Sequence, residues 1–204
     1  MHLADGVLSA PVLLTSTALS VAGVAFGLRR LREEQLPLAA LLGAAFFVAS
    51  TIHVPVGVGS VHLILNGLAG LLLGWAVFPV LCVALALQAA LFSFGGFAVL
   101  GANLLIMALP GVAAHHMLRG RLGPGVAHLQ ALISGAACGV IGIGGAALLA
   151  GALLALSGGR VFSELIVLFG LAHLPVLVVD AAIGAFTVAT LVRMMPQALA
   201  SVRS

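Results

Sequence analysis

Apolar residues in this chain run in long blocks rather than alternating with polar ones. The blocks are interrupted by short polar or glycine-rich breaks: RRLREEQ (29–35), HVPVGVGSVH (53–62), FGGFAVLG (94–101), RGRLGPG (119–125) and SGGR (157–160). Blocks of about 20 apolar residues are long enough to cross a bilayer as helices. The pattern predicts helices over 8–28, 36–53, 61–77, 79–93, 98–118, 126–156 and 162–195. The third and fourth are short and are divided at the Phe78–Pro79 step, whereas the last two are long enough to tilt or to project beyond the bilayer. The expected fold is all-α: a polytopic transmembrane bundle of about seven helices, forming a single integral membrane domain over 1–204.

Composition strengthens this reading. Hydrophobic residues make up 63% of the chain and charged residues 6%, against about 25% charged in soluble domains. Mean hydropathy is +1.32. The 26 glycines suit close helix approach in lipid. A pI of about 10.2 raises nucleic acid as a partner. However, all eight basic residues are arginines placed at block ends, the signature of membrane topology rather than of a phosphate-binding stripe. Cys82 and Cys138 lie inside apolar blocks, which suits packing rather than a disulfide framework or thiolate site.

Charge also orients the bundle. Cytoplasmic loops are enriched in arginine. Seven spans from an outside N-terminus put Arg29, Arg30, Arg32, Arg119, Arg121, Arg193 and Arg203 in the cytoplasm with the C-terminus, leaving only Arg160 outside. No basic residue precedes Arg29, so a cleavable leader, which needs a charged start, is not expected and Met1 is expected to be the mature terminus. A bulky second residue such as His2 should also keep the methionine in place. The segment 1–7, the 53–62 loop and the 94–101 loop then share the outer face.

A terminal amine, the next amide and a histidine ring are three nitrogens that can chelate one ion through fused small rings. Met1 and His2 supply them, and one more imidazole would complete a tetragonal nitrogen set, suited to Ni(II) or Cu(II), with low-spin Co(II) also fitting. His62 is the natural fourth donor and His53 the substitute. Amide deprotonation makes such binding strongly pH dependent. His173 and Asp180, seven residues apart, share a helix face, with Asp180 placed nearer the cytoplasm. Ionisable residues inside spans usually mark function, so both are candidates for a structural pair or an ion path. Asn66 and Asn103 are amides in apolar blocks that need partners and are suited to locking loops onto helices. His115 and His116 beside Arg119 read as an interface, and His128 as a cap-region residue. Gly23-x-x-x-Gly27 and Ala147-x-x-x-Gly151-x-x-x-Ala155 are smooth stripes for packing within the chain or against a partner subunit.

These residues resemble a known family. MHLADG (1–6), GVGSVHLILNG (57–67), FGGFAVLGANLLIMA (94–108) and HLPVLVVDAAIGAF (173–186) are similar to CbiM/NikM proteins, the substrate-binding membrane subunits of cobalt and nickel energy-coupling-factor ABC importers. The resemblance implies a planar four-nitrogen metal site from the Met1 amine, the His2 amide and ring, and His62; on the residues' own chemistry His53, Asn66, Asn103, His173 and Asp180 are candidates for supporting or pathway roles. It implies Co(II) or Ni(II) as the transported ligand rather than a prosthetic group. It further implies a transmembrane coupling subunit, two cytoplasmic ATPase subunits and a small accessory membrane protein as partners, in a prokaryotic plasma membrane. Phe94 stands where many members carry histidine, and Asp180 where many carry glutamate. Neighbouring cobalamin-biosynthesis genes would point to cobalt, and urease or hydrogenase genes to nickel.

Other classes fit less well. The chain has no GxxxxGK[ST] pattern, so it is not expected to hydrolyse ATP itself. A stand-alone secondary metal transporter would show several mid-membrane carboxylates or an inverted repeat, and only Asp180 is clearly placed in a span. An intramembrane serine protease needs a Ser–His pair with oxyanion donors, and neither Ser93 nor Ser134 has such a setting.

Overall fold

The computed structural model describes residues 2–56, 59–123, 125–158 and 163–195. Eight α-helices carry these residues: α1 (Ala10–Arg30), α2 (Leu36–Ala49), α3 (Asn66–Leu73), α4 (Val77–Phe92), α5 (Leu100–Leu118), α6 (His128–Gly158), α7 (Ser163–Ala172) and α8 (Leu174–Met194). Five stretches are long and apolar enough to cross a membrane: Ala10–Arg30, Asn66–Phe92, Leu100–Arg121, His128–Gly158 and Ser163–Met194. Side chains such as Leu14, Leu148 and Phe186 are exposed on their outer surfaces, as lipid contact requires.

The remaining spans depart from the simple seven-helix pattern, and the departures build the site. The second helix was expected to reach residue 53. It ends at Ala49, where Ser50 turns its hydroxyl back onto the Phe46 carbonyl. With 14 residues it is about 21 Å long. The third helix was expected from residue 61, but the chain is extended there. Strands β1 (His2–Leu3), β2 (His53–Val56) and β3 (Gly59–His62) form an antiparallel sheet in the order β1-β3-β2. Glycine and proline disfavour helix in this stretch, and Val54, Val56 and Val61 favour a strand. Strand pairing satisfies the backbone groups that a helix would otherwise have paired internally.

Helix α3 is therefore only eight residues long, and all eight are buried. The division between α3 and α4 falls at Gly74, whose φ of +58° breaks the helix, not at Phe78–Pro79; Pro79 sits in the first turn of α4, where a missing N–H costs little. The last expected helix is broken at His173, between α7 and α8. Arg160 and Arg203 lie outside the described residues.

Close backbone contacts hold the bundle. An added Cβ at Gly67 would meet the Cys138 carbonyl, and at Gly70 the backbone of Gly111, so α3 is wedged between α6 and α5. Gly135 and Gly139 bring α6 onto Gly184 and Ala181 of α8. Gly23 and Gly27 of α1 receive Phe78 and the Trp75–Pro79 turn, so that stripe is used within the chain, and Gly151 meets Ile166. At one end of the bundle Arg29, Arg30, Arg32, His115, His116 and Arg119 line a cavity of about 310 Å³. At the other end lies the sheet.

Candidate metal centre

The sheet register brings two histidines together. His2 pairs with Ser60 and Leu3 with Gly59. Alternate residues share a face, so His62, two beyond Ser60, is the diagonal neighbour of His2 on the same face, within reach of long side chains. The rings lie with centroids 4.7 Å apart, and His62 Nε2 is 2.9 Å from His2 Nδ1. Both residues are buried, at 4% and 3% exposure.

Neighbours set both tautomers. His62 Nδ1–H donates to the Leu63 carbonyl at 2.9 Å, which leaves the lone pair of neutral His62 on Nε2. His2 Nε2–H donates to Gln88 Oε1 at 3.0 Å, which leaves the His2 lone pair on Nδ1. The Gln88 amide donates in turn to Ser50 Oγ, and the Ser50 hydroxyl donates to the Phe46 carbonyl at 2.7 Å. The two nitrogens 2.9 Å apart are thus both electron-pair donors, an arrangement that a shared cation satisfies. Burial pushes the His62 pKa well below its usual value. A proton is therefore a poor occupant at neutral pH.

Three further contacts hold the N-terminal segment. The Leu3 N–H donates to Asn103 Oδ1 at 2.8 Å, and Asn103 Nδ2 donates back to the Leu3 carbonyl at 3.1 Å. The side chain of Asn103 thereby acts as a second strand edge, opposite β3. Asp5 Oδ1 accepts from the Val99 N–H at 3.1 Å, at the head of α5, where a carboxylate is favoured. Gly95 (φ +73°) and Gly96 (φ +101°) form the cradle; a Cβ on Gly96 would lie 2.0 Å from Asp5 Oδ2. Phe94 packs against the His2 ring at 6.1 Å between centroids.

The other expected residues take varied places. Met1 lies outside the described residues. His53 is in β2, in register with His62. Asn66 is fully buried and donates through Nδ2 to the carbonyls of Met107 and Gly142. His173 is buried at the break between α7 and α8, and its Nδ1–H donates to the Phe169 carbonyl at 2.6 Å. Asp180, further along α8 toward Arg193 than His173, accepts through Oδ2 from the Leu65 N–H at 3.0 Å, at the head of α3. His115 Nδ1–H donates to the Leu71 carbonyl at the arginine end. Gln88 and Ser50 are the site residues the sequence reading omitted, although a lone glutamine in the apolar block VALALQAALF (83–92) is itself a signal, because an amide in lipid needs partners.

An apolar multi-helix bundle with two buried imidazoles at one end is the architecture of a membrane-embedded protein. It is similar to the crystal structure of a truncated transition metal transporter, with a TM-score of 0.74 and 26% identity over 97% of this chain and 99% of that one. Residues 2–198 match the family described as cobalt uptake substrate-specific transmembrane region, and the chain belongs to this CbiM family. A Haemophilus influenzae protein named for metal transport is 55% identical, over 98% of this chain and 97% of its own length. The fused nickel transport protein NikMN of Rhodobacter capsulatus is 35% identical over 74% of this chain, which spans 46% of that protein. As a family member, the chain is a membrane-embedded component of cobalt or nickel transport rather than an enzyme.

Proposed function

We propose that this chain is the metal-capturing subunit of an energy-coupling-factor ABC importer, holding Co(II) or Ni(II) in a planar four-nitrogen site. The donors are the Met1 amine, the His2 amide, His2 Nδ1 and His62 Nε2. The observation that carries the reading is the 2.9 Å separation of two imidazole nitrogens whose neighbours leave both lone pairs turned inward. Four nitrogens in a plane about 2.05 Å from an ion are spaced about 2.9 Å along each edge; a tetrahedron with the same bonds would space them about 3.3 Å apart. The 2.9 Å separation fits the edge of a planar set, the geometry suited to Ni(II) or Co(II). The Met1 amine and the His2 amide are assigned the other corners on the family resemblance.

In this reading the sheet faces the outside of a prokaryotic plasma membrane and the arginine end faces the cytoplasm. Transport energy comes from partners: a transmembrane coupling subunit, two ATPases and a small accessory membrane protein. Relatives in which a CbiM or NikM part is fused to a further part, such as the NikMN protein of Rhodobacter capsulatus, support a multi-component assembly.

Calorimetric titration of the purified chain with Ni(II) and Co(II), its terminus unextended, tests the site. One residue added before Met1, or His2→Ala, should abolish binding while the protein stays folded. His62→Ala should remove most of the affinity and His53→Ala little. Unchanged affinity in the extended chain would exclude the terminal chelate.

A further inference from the structure

Asp180 is 2% exposed and sits on α8, far in sequence from His62. Its Oδ2 accepts the Leu65 N–H. Leu65 precedes α3 in a left-handed conformation, with φ of +56°, unusual for a residue with a side chain. The first N–H groups of a helix have no intrahelical partner, and no side chain of α3's own N-cap supplies one. The cap comes from another helix instead. Two residues before Leu65, the Leu63 carbonyl accepts from His62 Nδ1 and thereby leaves Nε2 as the electron-pair donor.

The geometry points to Asp180 as the positioning residue for His62: by capping α3 it fixes the Leu63–Leu65 stretch that sets the tautomer and aim of the imidazole. This inference rests on the metal-binding reading above. The packing supports it. Gly139 allows the backbone of α6 to lie against Asp180 and Ala181, while Gly142 on the same helix receives Gly67 and Asn66 Oδ1. One helix thus sets the distance between the carboxylate and the head of α3. Asn66 anchors that head from the other side, donating to Met107 and Gly142. The role assigned is that of an oxygen acceptor. A charge that relays the ion would be a different role, and the two separate on substitution.

Asp180→Asn keeps an oxygen that can accept the Leu65 N–H but removes the charge. Asp180→Leu removes the acceptor. Asp180→Ser, whose hydroxyl is too short to reach Leu65, serves if the leucine variant does not fold. Two readouts are needed: hydrogen exchange of the 63–66 amides without metal, and Ni(II) titration with His62→Ala as the reference for site loss. The leucine or serine variant should lose amide protection and about 10–100-fold in Ni(II) affinity, the usual effect of removing a support behind a ligand. The asparagine variant should retain protection and bind within about threefold of the parent. Lost protection with unchanged affinity overturns the positioning role, as does an asparagine variant that binds as weakly as the leucine one. If the parent chain binds no Ni(II) while protection still depends on the acceptor, the metal-site reading fails and the capping stands.

Discussion

Gln88 offers the most exacting test of how the site is tuned. Its Oε1 accepts from His2 Nε2, and it is fully buried, so Gln88→Leu removes the amide acceptor of that ring N–H. An unsatisfied buried donor costs about 1–3 kcal/mol. The variant has an escape: His2 can move its proton to Nδ1 and donate it to His62 Nε2, 2.9 Å away, regaining about 1 kcal/mol. That escape stabilises the metal-free protein and must be undone when metal binds. Both routes penalise the loaded state, by a combined 10–100-fold, or about 1.4–2.8 kcal/mol. Gln88→Glu retains an acceptor for the same N–H and should bind within about threefold of the parent. The assay is calorimetric Ni(II) titration paired with thermal melts of metal-free and metal-loaded protein. The leucine variant should lose more melting temperature when loaded than when metal-free. Affinity within about twofold of the parent would refute the tautomer argument.

Two further outcomes follow from the same geometry. Gly96→Ala places a Cβ on Asp5 Oδ2 at a positive φ, so it should release the N-terminal segment and lose metal binding at least as severely as Gln88→Leu while α1 to α8 remain folded by circular dichroism. The depressed His62 pKa has burial as its main cause, so the unfolded chain takes up a proton near pH 6.5 before the folded one does. Stability contributed by neutral His62 is then complete above about pH 6.5 and declines as pH falls below it; in metal-free thermal melts His62→Ala should flatten that decline.

Helix positions were legible in the sequence where apolar blocks were long. The helices expected over 98–118 and 126–156 lie within two residues of α5 and α6, because uniform apolar blocks bounded by Arg-Gly or Gly-Pro breaks admit one solution in lipid. Residues 53–65 were less legible. They were read as a loop with helix resuming at residue 61, but glycine spacing and Val-rich alternation mattered more once a third strand, β1, could pair with them, and that partner lies about 60 residues away. His2 and His62 could be named as a pair from the sequence; their diagonal placement depends on strand register, which no local pattern encodes. Asp180 was read as an ionisable group inside a span; its partner, the Leu65 N–H, follows from α3 being half a span. Gln88 went unread because one amide in an apolar block identifies its need for a partner but not the partner.

The buried α3 also determines what the bundle is not. Beneath the paired imidazoles, eight consecutive buried residues fill about 12 Å of depth between α5 and α6, with backbones in contact at Gly67 and Gly70. Among the described residues, α3 stops the cup below the imidazoles. An ion held there on the reading proposed above meets packed backbone toward the arginine end, so the resting protein should hold an ionic gradient without leak, and emptying the cup requires helices to part.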